Sequence, residues 1–308
     1  MGVTAPARTG GGFAGWLGSR RGLRQLAIAS LIANVAIVVT GGAVRVTNSG
    51  LGCPTWPRCT DHTLTPTKAA AIHGVIEFTN RQLTFVLGVL ALLTLVSAYR
   101  QRREVRLAAL GLASIPAQAV LGGITVLTDL NPYAVASHLL FSMAVIALYA
   151  VLVWRVVDGR PVSVPMPVRY LAGVITAAAA LVLTFGTIVT GTGPHAGDLK
   201  AGRLHRIHLS PESAAQLHAD AVWILIGASV GMVAFGYLVG GVLLRAAWLL
   251  LGVELAQGAI GYTQYFLHVP AGLVLLHMLG ASLVWLAALR VLLLVTPRRA
   301  AAGVTTPG

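Results

Sequence analysis

The chain has 308 residues, of which 56% are apolar and 10% charged, against about 25% charged in an average soluble domain. Together with a mean hydropathy of +0.80, this excludes a disordered protein, a disulfide-rich secreted module and a soluble enzyme, and leaves an all-α polytopic membrane protein. Lys and Arg total 22 and Asp and Glu 9, a net charge of +13. In this class such an excess marks cytoplasmic loops, so no nucleic acid partner is expected.

Residues 1–24 carry Arg8, Arg20, Arg21 and Arg24 but no small-residue cleavage site after a short apolar core. They read as a cytoplasmic N-terminal segment ahead of an uncleaved first span. Apolar runs follow at 25–46, 71–98, 107–127, 133–154, 169–191, 214–238, 241–265 and 270–295, each close to the length of about 20 residues that a bilayer requires. Arg100, Arg102, Arg103 and Arg106 fall on the same side as the N-terminus, as do Arg155, Arg160 and Arg169, and then Arg245, Arg298 and Arg299. The opposite side receives two long loops, 47–70 with Arg58 and Lys68, and 192–213 with Lys200, Arg203 and Arg206. The positive-inside rule places the first side, and with it both termini, in the cytoplasm.

The chain repeats itself. Gln118 and Gln257 each precede a histidine, His138 and His277, by 20 residues, and Gly122 and Gly261 match at the same offset. Gly41 and Gly186 each precede an outer loop, and His73 and His218 follow them by 32 residues. Two pseudo-twofold-related four-helix bundles are therefore expected, with the axis along the membrane normal because each half has an even number of spans. The halves are 25–155 and 169–295, joined by a cytoplasmic linker at 156–168 with Pro161, Pro165 and Pro167, and followed by a cytoplasmic tail at 296–308.

His73, His138, His218 and His277 stand near the outer ends of the even-numbered spans, the last three roughly 6 to 10 Å deep at the rise of an α-helix. A histidine at that depth needs a partner. A single one reads as a hydrogen-bonded core residue, but a repeated pair on facing helices can hold a heme iron. Zinc is disfavoured, because no cysteine stands at ligand spacing and a closed zinc site needs four converging ligands. His195, His205, His208 and His268 read as solvated loop residues.

The first outer loop runs from Gly41 through Thr47-Asn48-Ser49-Gly50-Leu51-Gly52 to Cys53-Pro54-Thr55-Trp56-Pro57-Arg58-Cys59 and holds the only two cysteines. On an oxidising face they can pair, either as a staple or as a redox relay. Arg45 is a candidate partner for a heme propionate, or it snorkels to the interface. At the start of the second span, His73, Glu77 and Asn80 share one stripe, and Arg81 stands four residues from Glu77. A carboxylate inside a membrane is a functional candidate by default. Glu77 either accepts protons beside the heme pocket or forms a packing ion pair with Arg81. No counterpart to this carboxylate stripe is recognised in the second half, where the sixth span begins Gln216-Leu217-His218.

Taken together, these motifs resemble the heme A synthase family. The resemblance rests on Thr47 to Leu51, on Cys53 to Pro57, on Ile76-Glu77-Phe78 with Arg81, and on Gln118 with His138. It also rests on Gln216 to His218, and on Gln257-Gly258 and Gly261 with His277, and it covers about 25–295. It implies a bacterial plasma-membrane oxidoreductase that converts the C8 methyl of heme O to the formyl of heme A by successive hydroxylations and loss of water. It further implies heme b on His218 and His277, substrate heme on His138, Glu77 near the reacting methyl, and Cys53 and Cys59 as the loop pair. Heme O synthase is the implied upstream donor and aa3-type cytochrome oxidase assembly the downstream user, within membrane lipid and with an unassigned electron acceptor. The sequence departs from many members at Asn80, where they carry histidine, which makes His73 a substitute ligand or leaves the substrate iron on His138 alone. A diheme electron-transfer protein accounts for the histidines but not for Glu77. A transporter accounts for the repeat but calls for broken helices at the midplane.

Overall fold

The computed structural model describes residues 12–67, 71–199 and 206–297. Arg8, Lys68, Lys200, Arg203, His205, Arg298 and Arg299 lie outside them. The described residues form helices and loops with no strand. A short α1 (Phe13–Leu17) precedes α2 (Arg20–Val46), α3 (Ala71–Arg100), α4 (Val105–Leu127), α5 (Pro132–Val156), α6 (Met166–Thr192), α7 (Pro211–Val239), α8 (Gly241–Phe266) and α9 (Ala271–Val295). The eight long helices are each long and apolar enough to cross a membrane, which makes this a multi-pass membrane protein. Helix α1 was not expected from the sequence; it is too short to span and packs on α2 and α3.

Local signals set the helix starts. Ser19 caps α2 by accepting from the Gly22 amide at 3.0 Å, Asn131 caps α5 through the Tyr133 amide at 3.0 Å, and Ser210 caps α7 through the Ser213 amide at 3.0 Å. These side chains satisfy amides that the first helical turn leaves without partners. Pro132 and Pro211 follow two of the caps at positions where a missing N–H costs nothing.

In the first half α2 packs on α3 and α5, and α4 on α3 and α5, so the four helices form a ring. In the second half α6, α7, α8 and α9 form a ring in the same order. The two rings meet through α2, α5, α6 and α9. At that seam Val38, Met143 and Ile146 pack against Met278 and Trp285, and the Trp285 indole donates to the Met143 carbonyl at 2.9 Å. The turns between α4 and α5 and between α8 and α9 are built alike, with consecutive left-handed residues at Asp129 and Leu130 and again at His268 and Val269. At one end of the helices Asp158 pairs with Arg20 at 3.7 Å and with Arg103, and Glu104 pairs with Arg155 at 3.2 Å.

Candidate functional site

Three of the four intramembrane histidines occupy the same kind of seat. Each ring lies over a glycine on a neighbouring helix: His138 over Gly122, His218 over Gly186 and His277 over Gly261. A Cβ at those glycines would stand 3.4, 3.3 and 3.2 Å from the ring Cε1. The glycines let the imidazoles lie close against the helix backbone, which a side chain would prevent. The buried Nδ1 atoms of all three rings lack a hydrogen-bond partner of normal geometry, although His218 is turned toward the Val182 carbonyl. A core histidine held only by hydrogen bonds would satisfy its ring nitrogens, so that reading does not fit His138 and His277.

His218 and His277 face each other across the second ring of helices with ring centroids 6.4 Å apart. Two imidazoles sharing one metal, at about 2 Å from metal to nitrogen and about 1 Å from nitrogen to ring centre, place their centroids about 6 Å apart. That separation leaves space for one metal ion between the two rings. Among the described residues no three His, Cys, Asp or Glu side chains converge as a metal cluster, so a closed zinc site of four protein ligands finds no support.

His73 differs. Its ring is exposed, its Nδ1 lies 3.0 Å from Ser49 Oγ in the first outer loop, and Gly41 has nothing within 4 Å of where its Cβ would be. The 32-residue spacing shared with His218 thus does not carry over to the same seat. Asn80 accepts a hydrogen bond from the Thr40 hydroxyl of α2 at 2.8 Å.

Glu77 is 5% exposed and both its oxygens are engaged. Oε2 accepts from the Cys53 amide at 2.7 Å, and Oε1 accepts from Arg81 Nη2 at 2.5 Å and Nε at 3.1 Å. Arg81 also donates to the carbonyls of Cys53 at 2.9 Å, Thr55 at 3.0 Å and Arg58 at 3.3 Å. The pair of charges therefore clamps the cysteine loop onto α3. Within that loop Cys53 and Cys59 are joined by a disulfide and buried. The loop continues over the helix ends to Trp56, whose indole covers Gly123 so closely that a Cβ there would lie 2.5 Å from it. Gly123 is the residue after Gly122, the seat of His138, so the loop reaches α4 one residue from that seat.

Arg45 reaches across to the other half. Its Nε donates to the His195 carbonyl at 2.5 Å and its Nη2 to the Thr190 carbonyl at 3.2 Å, and nearby the Gly50 amide donates to the Gly197 carbonyl at 2.8 Å. The two outer loops are thereby locked together. His195, expected to be solvated, is half-buried, with its Nε2 2.8 Å from the Val269 carbonyl; the chain folds back to bring α9's entry turn against it. His208 and His268 are exposed as expected.

One residue escaped the sequence reading. Glu254, near the middle of α8, is 3% exposed and accepts from Ser229 Oγ at 2.8 Å. The second half therefore does hold an intramembrane carboxylate, although not at a place equivalent to Glu77. Its signal was present as a lone acid three residues before Gln257, inside an otherwise apolar span.

Fold and site together define a polytopic membrane protein that presents glycine-seated histidines within two rings of helices. Residues 24–197, more than half of the chain, match the cytochrome oxidase assembly protein family (COX15-CtaA), and the chain belongs to this family. It is similar to a heme A synthase of Lysinibacillus sphaericus (strain C3-41), with 31% identity over 183 residues, 56% of this chain and 59% of that one. It is similar to a heme A synthase of Geobacillus thermodenitrificans, with 32% identity over 115 residues, 36% of this chain and 35% of the other. A heme A synthase of Shewanella oneidensis is 28% identical over 178 residues, 53% of each chain. The matches thus span 35% to 59% of the length of these relatives.

Proposed function

We propose that this chain is a heme A synthase of a bacterial plasma membrane, oxidising the C8 methyl of heme O to the formyl group of heme A by successive hydroxylations and loss of water. The observation that carries the reading is the His218 and His277 ring pair, 6.4 Å apart in the second ring of helices, in a chain of the oxidase assembly family. In this account His218 and His277 hold heme b in the half spanning 169–295, where it supplies electron transfer when bound. The substrate heme occupies the half spanning 25–155 with its iron on His138, and His73 is the second candidate ligand. Both termini face the cytoplasm.

The residues around the substrate half divide the remaining work. Trp56 and the disulfide loop cover the outer mouth beside His138 and exclude water from it. Glu77 lies under that loop, nearest to where the methyl would react. Its Oε2 has a second lone pair beside the one facing the Cys53 amide and can take a proton there, so its proton affinity varies with how firmly the loop is seated. Arg81 holds the loop and the carboxylate together. Arg45, already bound to the Thr190 carbonyl of α6 and the His195 carbonyl of the second loop, positions the two outer loops and offers its remaining N–H groups to a propionate. Cys53 and Cys59, joined as they are, act as a staple; a redox role needs two electrons and two protons to open them.

Heme O synthase is the proposed donor of substrate, aa3-type oxidase the proposed destination of product, and the electron acceptor is a separate component. A diheme electron carrier would use the same histidines but leaves the Glu77 clamp of the first half unexplained. The test is the absorption spectrum of the purified protein and of His218→Ala and His277→Ala. The account expects a low-spin bis-imidazole heme in the wild type and its loss in both variants. A wild-type protein without such a spectrum would remove the cofactor site.

A further inference from the structure

Glu254 is not used by any step above. It stands 13 residues from the first residue of α8, about 20 Å along the helix axis, and so lies near the middle of the span. Its Oε1 accepts from Ser229 of α7, a residue with 0% exposure, and its Oε2 is buried without a partner. Helix α8 packs against α7 and α9. The titratable and charged residues of these helices are Glu212, His218, Asp220 and Tyr237 on α7, His277 and Arg290 on α9, and Arg245, Tyr262 and Tyr265 on α8 itself. Among the described residues none of them forms a hydrogen bond or ion pair with Glu254. A carboxylate at this depth without a cation is costly, so the neutral acid is favoured unless positive charge arrives nearby.

The place where such charge would arrive lies on the same stripes of both helices. Glu254, Gln257 and Gly261 fall at i, i+3 and i+7 on α8. Gly261 seats the His277 ring, and Gln257 Nε2 donates to the His277 carbonyl at 2.8 Å while its Oε1 is buried without a partner. On α7, His218 and Ser229 are 11 residues apart, close to three full turns and therefore on one face. Glu254 thus sits beneath the imidazole pair, about 10 Å from Gly261 along α8 and, through Ser229, about 16 Å from His218 along α7. Among the described residues no ion pair lies between Glu254 and the two rings.

We propose that Glu254 is a redox-linked proton site for the group held by His218 and His277. The inference rests on the heme reading of those two histidines. Glu254 is favoured as the carboxylate while the site carries the extra positive charge of the oxidised metal. It takes up one proton from water as one electron enters from a one-electron donor, and returns that proton when the electron leaves. The charge enclosed in the second ring of helices then stays constant through the cycle.

The experiment is a spectroelectrochemical titration of the heme-loaded protein as a function of pH, on wild type, Glu254→Gln and Ser229→Ala. In the wild type the ratio of reduced to oxidised heme at a fixed potential should fall by up to tenfold per pH unit across one window, equivalent to 59 mV per unit for one electron. Glu254→Gln should be flat across that window. Ser229→Ala should displace the window, because it removes the hydrogen bond that Glu254 Oε1 accepts. The infrared difference spectrum of wild type on reduction should gain a protonated-carboxyl band, a readout that needs no variant. A flat wild-type titration without that band, or a Glu254→Gln protein with the wild-type slope, overturns the proposal while leaving the heme reading intact. A wild type without bis-imidazole heme overturns both.

Discussion

Arg81→Met tests whether the charge clamp holds the cysteine loop. In the wild type the Glu77 side chain is 7% exposed and the Arg81 side chain 22%, and Arg81 reaches three loop carbonyls besides the carboxylate. The substitution leaves Glu77 with backbone amides of the loop, chiefly that of Cys53. Removing one partner of a buried pair costs about 3–5 kcal/mol. Water can replace part of a partly exposed guanidinium, so about 2–3 kcal/mol is expected here. The carbonyls of Thr55 and Arg58 can rehydrate and add little. Cys53 and Cys59 are 0% and 1% exposed, so a dithiol reaches the disulfide only after the loop opens. At 1.4 kcal/mol per tenfold, reduction should accelerate about 30- to 150-fold. The rate of thiol appearance under excess dithiol, in protein kept in detergent, is the assay. Glu77→Gln combined with Arg81→Met removes the stranded charge and should bring the rate back toward wild type. The reasoning is refuted if Arg81→Met reduces within about threefold of wild type, a change no larger than a weak hydrogen bond, or if the double variant is faster than the single one.

Gly261→Val should force the His277 ring off its seat, because even a Cβ stands 3.2 Å from that ring; bis-imidazole heme per protein should drop about tenfold, matching the 1–3 kcal/mol of overpacking. Gly122→Val should leave that heme in place and instead weaken retention of substrate heme, measured by co-purified heme O. Glu77→Gln should keep the bis-imidazole spectrum but lose conversion, whereas His277→Ala should lose the spectrum itself; full conversion by Glu77→Gln would remove the carboxylate from the chemistry. Replacing Cys53 and Cys59 together by serine should release about 2 kcal/mol of loop ordering, seen as faster proteolysis within 50–60 with unchanged heme content.

Span positions were legible because long apolar runs admit few other structures in a bilayer, and the helices exceed the predicted runs only by a turn of polar or capping residues such as Arg20 and Pro211. The seats of His138, His218 and His277 were legible through their glycines and the repeat, since a motif that recurs at one offset places its members on corresponding faces. His73 was misleading for the same reason. Its spacing matches that of His218, but Ser49 of the outer loop meets its Nδ1, and tertiary contact outweighs spacing. The partners of Arg45 could not be read from sequence at all, because the Thr190 and His195 backbone carbonyls lie about 150 residues away and carbonyls are carried by every residue. Glu77 and Arg81 showed their pairing through the i, i+4 spacing, whereas the Cys53 amide that completes the clamp is visible only once the loop is folded. Glu254 was overlooked because it lies at midspan, away from the histidines near the outer ends.

Heme extraction with chromatography after co-expression with a heme O source reads the proposed oxidation itself. Heme A should accumulate with the wild-type chain and not with Glu77→Gln or His138→Ala. Heme O recovered unchanged beside a fully heme-loaded wild-type protein would contradict it.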